Sequence, residues 1–436
     1  MSITSTLAAT SCNRLDELKL YRRITWRILP LSMICYFFSY FDRINISFAK
    51  SQMQMDLGLS DAAYGFAASI FFVGYVLFEV PSTIGLKKYG APSWICRIMA
   101  SWGLATAALV FAYNEYTLYF LRFLIGVMEA GFGPAILFYL ACWFPRTKMA
   151  SINGLFFLSM PIAGAIGAPL AGLILNHMNG VLGLAGWHWL FLMSGIPCLM
   201  LGFITLWKLD RDIQSASWLS DGEKEYLTEQ LRDHKAAVKP EHGSVWKVLL
   251  SWEVAVLGLI YFIVKMAAYG INFWMPDLIS KSGVQDLTLI GILTSIPYTV
   301  AFLGMMIVTR YSDRTGDRRT PLWMCMVVAS LGYFLACTFP ENQLLFMGAL
   351  ILATAGSFIA IPIFWAIPQT RFNGIAIASA IAAINSMGQL SGIVAPSLIG
   401  FINDWSGNKF MGMLSVAPVC LVCAVLIVKF IPRKIV

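Results

Sequence analysis

Twelve apolar stretches, each about 20 residues long or more, account for most of this 436-residue chain. A stretch of that length is what an α-helix needs to cross the hydrocarbon core of a bilayer. Inside lipid the backbone must satisfy its own hydrogen bonds, so stretches like these fold as helices. They fall at 28–48, 63–86, 93–113, 117–143, 151–176 and 187–207, then at 250–276, 287–309, 321–339, 342–367, 375–402 and 410–431. The predicted fold is an all-α membrane protein, twelve transmembrane helices in two six-helix bundles. The predicted organisation is a cytoplasmic N-terminal segment 1–27, a first bundle 28–207, a cytoplasmic central loop 208–249 and a second bundle 250–436. Only 12% of residues are charged, against about 25% in soluble chains, and fifteen of them sit in the gap 208–247. Within that gap Ser220 followed by Glu223 has the spacing of a capping box, which predicts a surface helix.

The net charge of +8 raises the question of nucleic acid, and its distribution answers it. With the N-terminus placed inside, all but six of the 31 Lys and Arg residues fall on the cytoplasmic side. Lys50, Lys281 and Lys409 fall outside, and Arg43, Arg122 and Lys265 lie within spans. The bias sets the orientation, with both termini cytoplasmic, and accounts for the charge without a nucleic-acid partner. Nine cysteines, mostly inside apolar runs, do not form a disulfide framework, and Cys420 and Cys423 read as helix packing. The histidines, 177, 188, 234 and 242, lie in or near loops without metal spacing. The other connections are a few residues long and leave no room for a soluble catalytic domain, so an enzyme is not expected.

The informative residues are the charges inside the spans, since each such group is costly in lipid and marks a pathway or a pair. At 100° per residue Tyr36, Ser39, Tyr40, Arg43 and Ser47 share one face of the first span. Phe37, Phe41, Ile44 and Phe48 lie opposite and read as a lipid face. Asp42 flanks the polar stripe. In the fourth span Arg122, Gly126, Glu129 and Gly133 share a face, with Arg122 at nearly the depth of Asp42, so an Asp42–Arg122 pair is geometrically open and would leave Arg43 free for an anion. Glu129 falls about two turns deeper, where a carboxylate can exchange a proton; the bland alternative is a permanently protonated structural acid. In the seventh span Lys265, Tyr269, Asn272 and Pro276 share a face. Arg43 and Lys265 lie equally far into the first helices of two halves that read as parallel repeats, which makes them a candidate carboxylate clamp; the alternative for Lys265 is a snorkelling or internally paired lysine. Glu79, four residues after Tyr75, suits a gating, pairing or structural role. Trp365, between two prolines, and Asn385, Ser386 and Gln389 are candidate lining residues, with helix packing the alternative for the tryptophan.

Between spans eight and nine, RYSDRTGDRR (310–319) resembles the Asp-Arg-x-Gly-x-Arg-Arg loop of the major facilitator superfamily, which nominates Asp313 and Arg314. The loop after span two, GLKKYG (85–90), lacks the aspartate. Finer features resemble the anion:cation symporter family: YFDRINISFAK, FFVGYVLFEVPS, EAGFGP followed by WFP, YGINFWMP, FWAIP and INSMGQLSG. That resemblance implies proton-coupled import of organic anions such as tartrate, phthalate, hydroxyphenylacetate or sugar acids. It matches Asp42 and Glu129 to proton-carrying carboxylates, Arg43 to the carboxylate-binding arginine, and Tyr40, Trp365 and Asn385 to substrate-lining positions. Three departures stand out: Ser194 where relatives often carry glutamate, Gln389 where they often carry asparagine, and Met160 where sugar-acid carriers can have glutamine.

The expectation is therefore a secondary active transporter of the bacterial inner membrane, importing a small carboxylate with protons by alternating access. It needs no cofactor beyond H+ as coupling ion, and its partners are the anion, protons and the bilayer, with the chain acting as a monomer. The rival readings are an organic-anion exchanger or efflux transporter of the same fold, and more remotely a membrane sensor.

Overall fold

The structure, a computed structural model, describes residues 3–236, 251–371 and 374–433; the last part of the predicted central loop lies outside them. The first half comprises α1 (Ile3–Leu57), α2 (Asp61–Tyr89), α3 (Ala91–Ala107), α4 (Glu115–Glu129), α5 (Phe132–Ala141), α6 (Arg146–Phe157), α7 (Ser159–His177) and α8 (Gly186–Lys208). After α9 (Asp221–Ala236) the second half comprises α10 (Trp252–Lys281), α11 (Leu287–Thr315), α12 (Arg319–Thr338), α13 (Gln343–Arg371), α14 (Gly374–Ser406), α15 (Met411–Leu414) and α16 (Val416–Phe430). Among the described residues eleven helical segments are long and apolar enough to cross a membrane, and the remaining predicted span, 375–402, lies within α14. The chain is a multi-pass all-helical membrane protein.

Several local features follow the sequence closely. Ser220 and Glu223 form the predicted reciprocal cap on α9, with Ser220 N donating to Glu223 Oε2 at 2.9 Å and Glu223 N to Ser220 Oγ at 3.4 Å. Arg23 pairs with Glu223, and Arg27 lies 4.9 Å over the Trp218 ring, so the central segment docks on α1 at the end of the bundle that carries the termini, here called the near end. Cys420 and Cys423 are fully buried, the latter against the Ile260 carbonyl.

Three features differ from the sequence reading. The boundary at residue 28 is not a break, because α1 runs unbroken from Ile3, through Pro30. Most of the predicted lipid face of the first span is buried instead: Phe41, Ile44 and Phe48 are each 5% exposed or less, while Phe37 is half-buried. Phe41 fills the space opposite Gly167 of α7, so α1 is an interior helix on both faces over its second half, residues 39–50. Span four is interrupted. α4 stops at Glu129, and Gly131 takes a left-handed φ of 81° before α5 begins. Pro134, lacking an N–H, cannot complete the intervening turn. Span five keeps helical backbone through Leu158, with only its hydrogen-bond ladder disturbed three residues before Pro161.

The two halves meet along α1 and α10, α2 and α14, and α7 and α11. Small residues set the closeness at the end opposite the termini, here called the far end. A Cβ at Gly400 of α14 would collide with the Asp61 carbonyl of α2, and one at Gly291 of α11 with the Ala168 carbonyl of α7. Backbone thus touches backbone across the seam, as small residues permit between membrane helices.

Candidate functional site

The polar stripe of α1 places Ser39 and Arg43 against the broken end of α4. Arg43 donates to Glu129 Oε1 through Nε at 2.8 Å and Nη2 at 2.6 Å, and Ser39 Oγ donates to the same oxygen at 2.8 Å. Glu129 Oε2 is buried without a hydrogen-bond partner among the described residues. Because α4 ends here, the carboxylate sits at a helix C-terminus, the end of the dipole that disfavours an anion. The guanidinium supplies the compensating charge. It also lies over the rings of Tyr75 at 5.0 Å and Phe71 at 5.4 Å.

This arrangement corrects two expectations. Arg43 is not free, because Glu129 holds it. The Asp42–Arg122 pair does not form: Arg122, 1% exposed, lies 5.1 Å over the Phe71 ring and its Nη2 has no partner among the described residues. Asp42 turns instead into the interior of the first half. There it accepts from Trp102 Nε1 at 2.9 Å, Thr106 Oγ1 at 2.8 Å, Ser194 Oγ at 3.0 Å and Asn45 Nδ2 at 3.1 Å. Ser194, a departure from the family pattern, thereby supplies one of four neutral donors to a carboxylate that has no ion-pair partner among the described residues.

The second half supplies Lys265 on α10. It is 7% exposed, and its ammonium stands 4.3 Å over the Tyr269 ring with no carboxylate in ion-pair range among the described residues. Tyr269 donates to Gln389 Oε1 at 2.7 Å. Asn272 bridges the halves: its Nδ2 donates to Tyr40 Oη at 2.6 Å and its Oδ1 accepts from Tyr298 Oη at 2.6 Å. Trp365 Nε1 donates to Tyr261 Oη at 3.0 Å. Asn385 and Ser386 are half-buried on α14, and Asn385 Nδ2 reaches Glu79 Oε1 at 3.5 Å across the seam. Asp313 and Arg314 lie elsewhere, in the last turns of α11 at the near end, where Asp313 accepts from Arg318 at 2.5 Å.

Sequence reasoning missed part of this constellation. Trp102 and Thr106 carried a usable signal, two polar groups at i and i+4 inside an apolar run. Tyr298 and Tyr261 carried none, because an isolated tyrosine in a membrane helix looks like packing. The break in span four and the disturbed ladder of span five flank Tyr36, whose ring lies 4.5 Å from Phe156 and 6.4 Å from Phe132. An interrupted helix beside a charged site is a recurrent feature of transporter binding sites.

What stands at the centre of the seam is one paired arginine from the first half, one lysine from the second with no acidic partner among the described residues, and a group of phenols and amides. Such a set offers positive charge and hydrogen-bond donors to an anion at the boundary between the halves. The model of the Major Facilitator Superfamily matches residues 32–396. A putative metabolite transport protein, NicT, of Pseudomonas putida is 38% identical over 417 residues, 96% of this chain and 95% of that one. A putative tartrate transporter of Agrobacterium vitis is 37% identical over 410 residues, 94% and 91% of the two chains. A quinolone resistance transporter of Acinetobacter baumannii is 37% identical over 398 residues, 91% of each. Among solved structures, a D-xylose–proton symporter shares the fold with a TM-score of 0.74 at 13% identity, over 94% of this chain and 98% of that one. By the family match, by relatives along nearly the whole chain and by its own architecture, this protein is a transporter and a member of the Major Facilitator Superfamily.

Proposed function

We propose that the protein imports a small organic carboxylate together with protons across a bacterial inner membrane, with both termini cytoplasmic and the single chain as the working unit. The observation that carries this reading is the Arg43–Glu129 pair with its one-sided geometry. All three donors converge on Oε1, and Oε2 is bare. A proton on Oε2 would neutralise Glu129 and weaken its hold on Arg43. The guanidinium would then be free to take a substrate carboxylate bidentately, as arginine does best.

Protonation and anion binding thus become one exchange of partners. A bound anion without the proton would leave two carboxylates competing for Arg43, an uncompensated charge that opposes occlusion. Lys265 would contact the same anion from the second half, drawing α10 toward α1, and Tyr40, Tyr269, Asn272, Trp365, Asn385 and Ser386 would surround its body. Glu79 and Tyr75 would act on the near-end side of the site. Asp42, held by four neutral donors, acts in this reading by fixing α1 against α3 and α8. The tartrate transporter among the relatives supports an organic acid as cargo, and the apolar Met160 of α7, 7% exposed, where sugar-acid carriers can have glutamine, favours one with few hydroxyls.

The test is uptake of labelled organic acids by proteoliposomes under an imposed inward proton gradient, with sugar acids, tartrate, phthalate and hydroxyphenylacetate as the panel. Accumulation of one acid that collapses with an uncoupler, and is lost in Glu129→Gln, supports the reading. Accumulation that survives Glu129→Gln removes the proton role of Glu129. The quinolone resistance transporter among the relatives favours one second reading, proton-driven efflux. It would appear as substrate loss from preloaded vesicles with no uptake under the inward gradient.

A further inference from the structure

The three lysines that break the charge bias of this chain by lying at the far end, Lys50, Lys281 and Lys409, all belong to one cluster. Lys50 Nζ binds Asp61 Oδ1 at 2.8 Å and Asp277 Oδ2 at 2.6 Å. Lys281 pairs with Asp277 and lies 3.5 Å from Asp61 Oδ2, and Lys409 lies 3.3 Å from the same oxygen. Asn403 Nδ2 approaches Asp61 at 3.4 Å, and Asp404 Oδ2 accepts from Ala62 N at 2.7 Å. Lys50 and Asp61 belong to the first half; Asp277, Lys281, Asn403, Asp404 and Lys409 belong to the second. Every ionic and capping contact in the cluster except Lys50–Asp61 and Lys281–Asp277 therefore crosses the seam.

We propose that Lys50, Asp61 and Asp277 form an ionic latch that closes the far end of the transporter and holds it facing the side of the termini. The site in the middle of the seam does not require such a cluster, and the inference holds whatever the cargo is. Lys50 and Asp61 are each 1% exposed, and charges so deeply buried persist only while paired. The Lys50 ammonium also lies 4.2 Å over the Trp274 ring of the second half, adding an attraction that holds only in the closed state. A polar cavity of about 590 Å³ lies against the outer face of the cluster, lined among others by Asp61, Asp277, Lys281, Asp404 and Lys409. Water from that side can take over the charges when the seam parts, so the latch exchanges ion pairs for hydration instead of stranding bare charges. Such an exchange makes the two states close in free energy, as a carrier that must visit both requires.

The latch is also built on the helices that carry the site. Lys50 stands seven residues, two turns, beyond Arg43 on α1, and Asp277 stands on α10, which carries Lys265. An anion drawing Arg43 and Lys265 together would pull the same two helices into the position that Lys50–Asp277 requires. This link rests on the anion reading above; the latch itself does not.

The test is hydrogen–deuterium exchange on the full chain in lipid nanodiscs, comparing wild type with Asp61→Asn and Asp277→Asn. The latch predicts faster exchange, roughly tenfold, in far-end segments 45–70, 270–281 and 392–406. It also predicts slower exchange in near-end segments 79–90 and 374–386, because opening one end closes the other. Asp56→Asn removes a far-end carboxylate that accepts from Trp187 within the first half at 2.6 Å, and should leave both ends unchanged. The proposal is overturned if Asp61→Asn and Asp277→Asn change neither end, if exchange rises at both ends as general loosening would produce, or if Asp56→Asn gives the same reciprocal pattern.

Discussion

Asp42 and Glu129 are both fully buried carboxylates in the first half, and they are solved by the chain in opposite ways. Four neutral donors from α1, α3 and α8 surround Asp42, and both its oxygens are satisfied. Glu129 has one oxygen crowded by a guanidinium and a hydroxyl and the other bare. The first arrangement leaves no vacancy and no mobile partner, so changing the charge there disrupts a finished network. On the proposed reading, the second has a vacancy for a proton and a partner with another use. A buried acid becomes a switch when its counter-ion can be claimed by something else; otherwise it works as a structural tie.

The sharpest way to break that comparison is to remove the shared partner. On the proposed reading Arg43→Ala should lower uptake of the transported acid by at least about 100-fold, since it would delete the anion's bidentate ligand and strand Glu129 in the interior. An initial-rate assay in proteoliposomes measures this. Uptake near the wild-type rate would mean that the guanidinium serves only to neutralise Glu129.

The next effect separates the two acids directly. In wild type, anion affinity should weaken as pH rises, because the anion and ionised Glu129 compete for Arg43. Glu129→Gln should bind with an affinity that is flat between about pH 5 and pH 8, while accumulation against a gradient is lost. Asp42→Asn should keep the pH slope and lose stability. Its new amide group would face the Trp102 or Thr106 donor, a mismatch of about 1–3 kcal/mol that lowers Tm by a few degrees. Calorimetric titration across pH and thermal unfolding of both variants give the two readouts, and exchanged behaviours would reverse the assignment.

On the second-half side, Lys265→Met keeps the side-chain length and removes the charge. Anion affinity should fall at least about tenfold with the pH slope unchanged, because one charge-assisted contact of about 1.5–3 kcal/mol is lost and Glu129 is untouched. A neutral variant that binds as well as wild type would make Lys265 a packing residue.

How much of this was legible in the sequence follows from what periodicity can carry. The spans, the capping box of α9 and the stripe on α1 depend on spacing along a single helix, and spacing is written in the chain. Partner choice is not. Asp42 and Arg43 are adjacent, so the helix sends them about 100° apart, and which one meets α4 depends on how α1 rotates against its neighbours. The reading of Phe41 and Ile44 as lipid-facing failed for the same reason: an interior helix of a bundle is apolar wherever it meets another helix, and amphipathicity then ceases to report lipid. The break after Glu129 was implicit in EAGFGP, but the glycines read equally well as close-packing residues. The outer lysines were visible only as exceptions to a count until the fold brought them together.

The smallest effect concerns the wall of the site, where one half satisfies its own polar groups. Trp365 donates to Tyr261, whose ring stacks on Phe364 at 4.8 Å, so the indole is held in place from within the second half. Trp365→Phe removes that hydrogen bond and keeps most of the ring, a loss of about 1 kcal/mol. If the indole lines the anion's path, its mispositioning should weaken binding about fivefold with no change in pH slope, in contrast to Glu129→Gln, and Tyr261→Phe should reproduce the loss by freeing the same N–H. Should Trp365→Phe weaken binding while Tyr261→Phe does not, the indole N–H would be acting on the anion directly. The contrast between the halves would then be weaker than the geometry suggests, with both offering polar groups to the cargo.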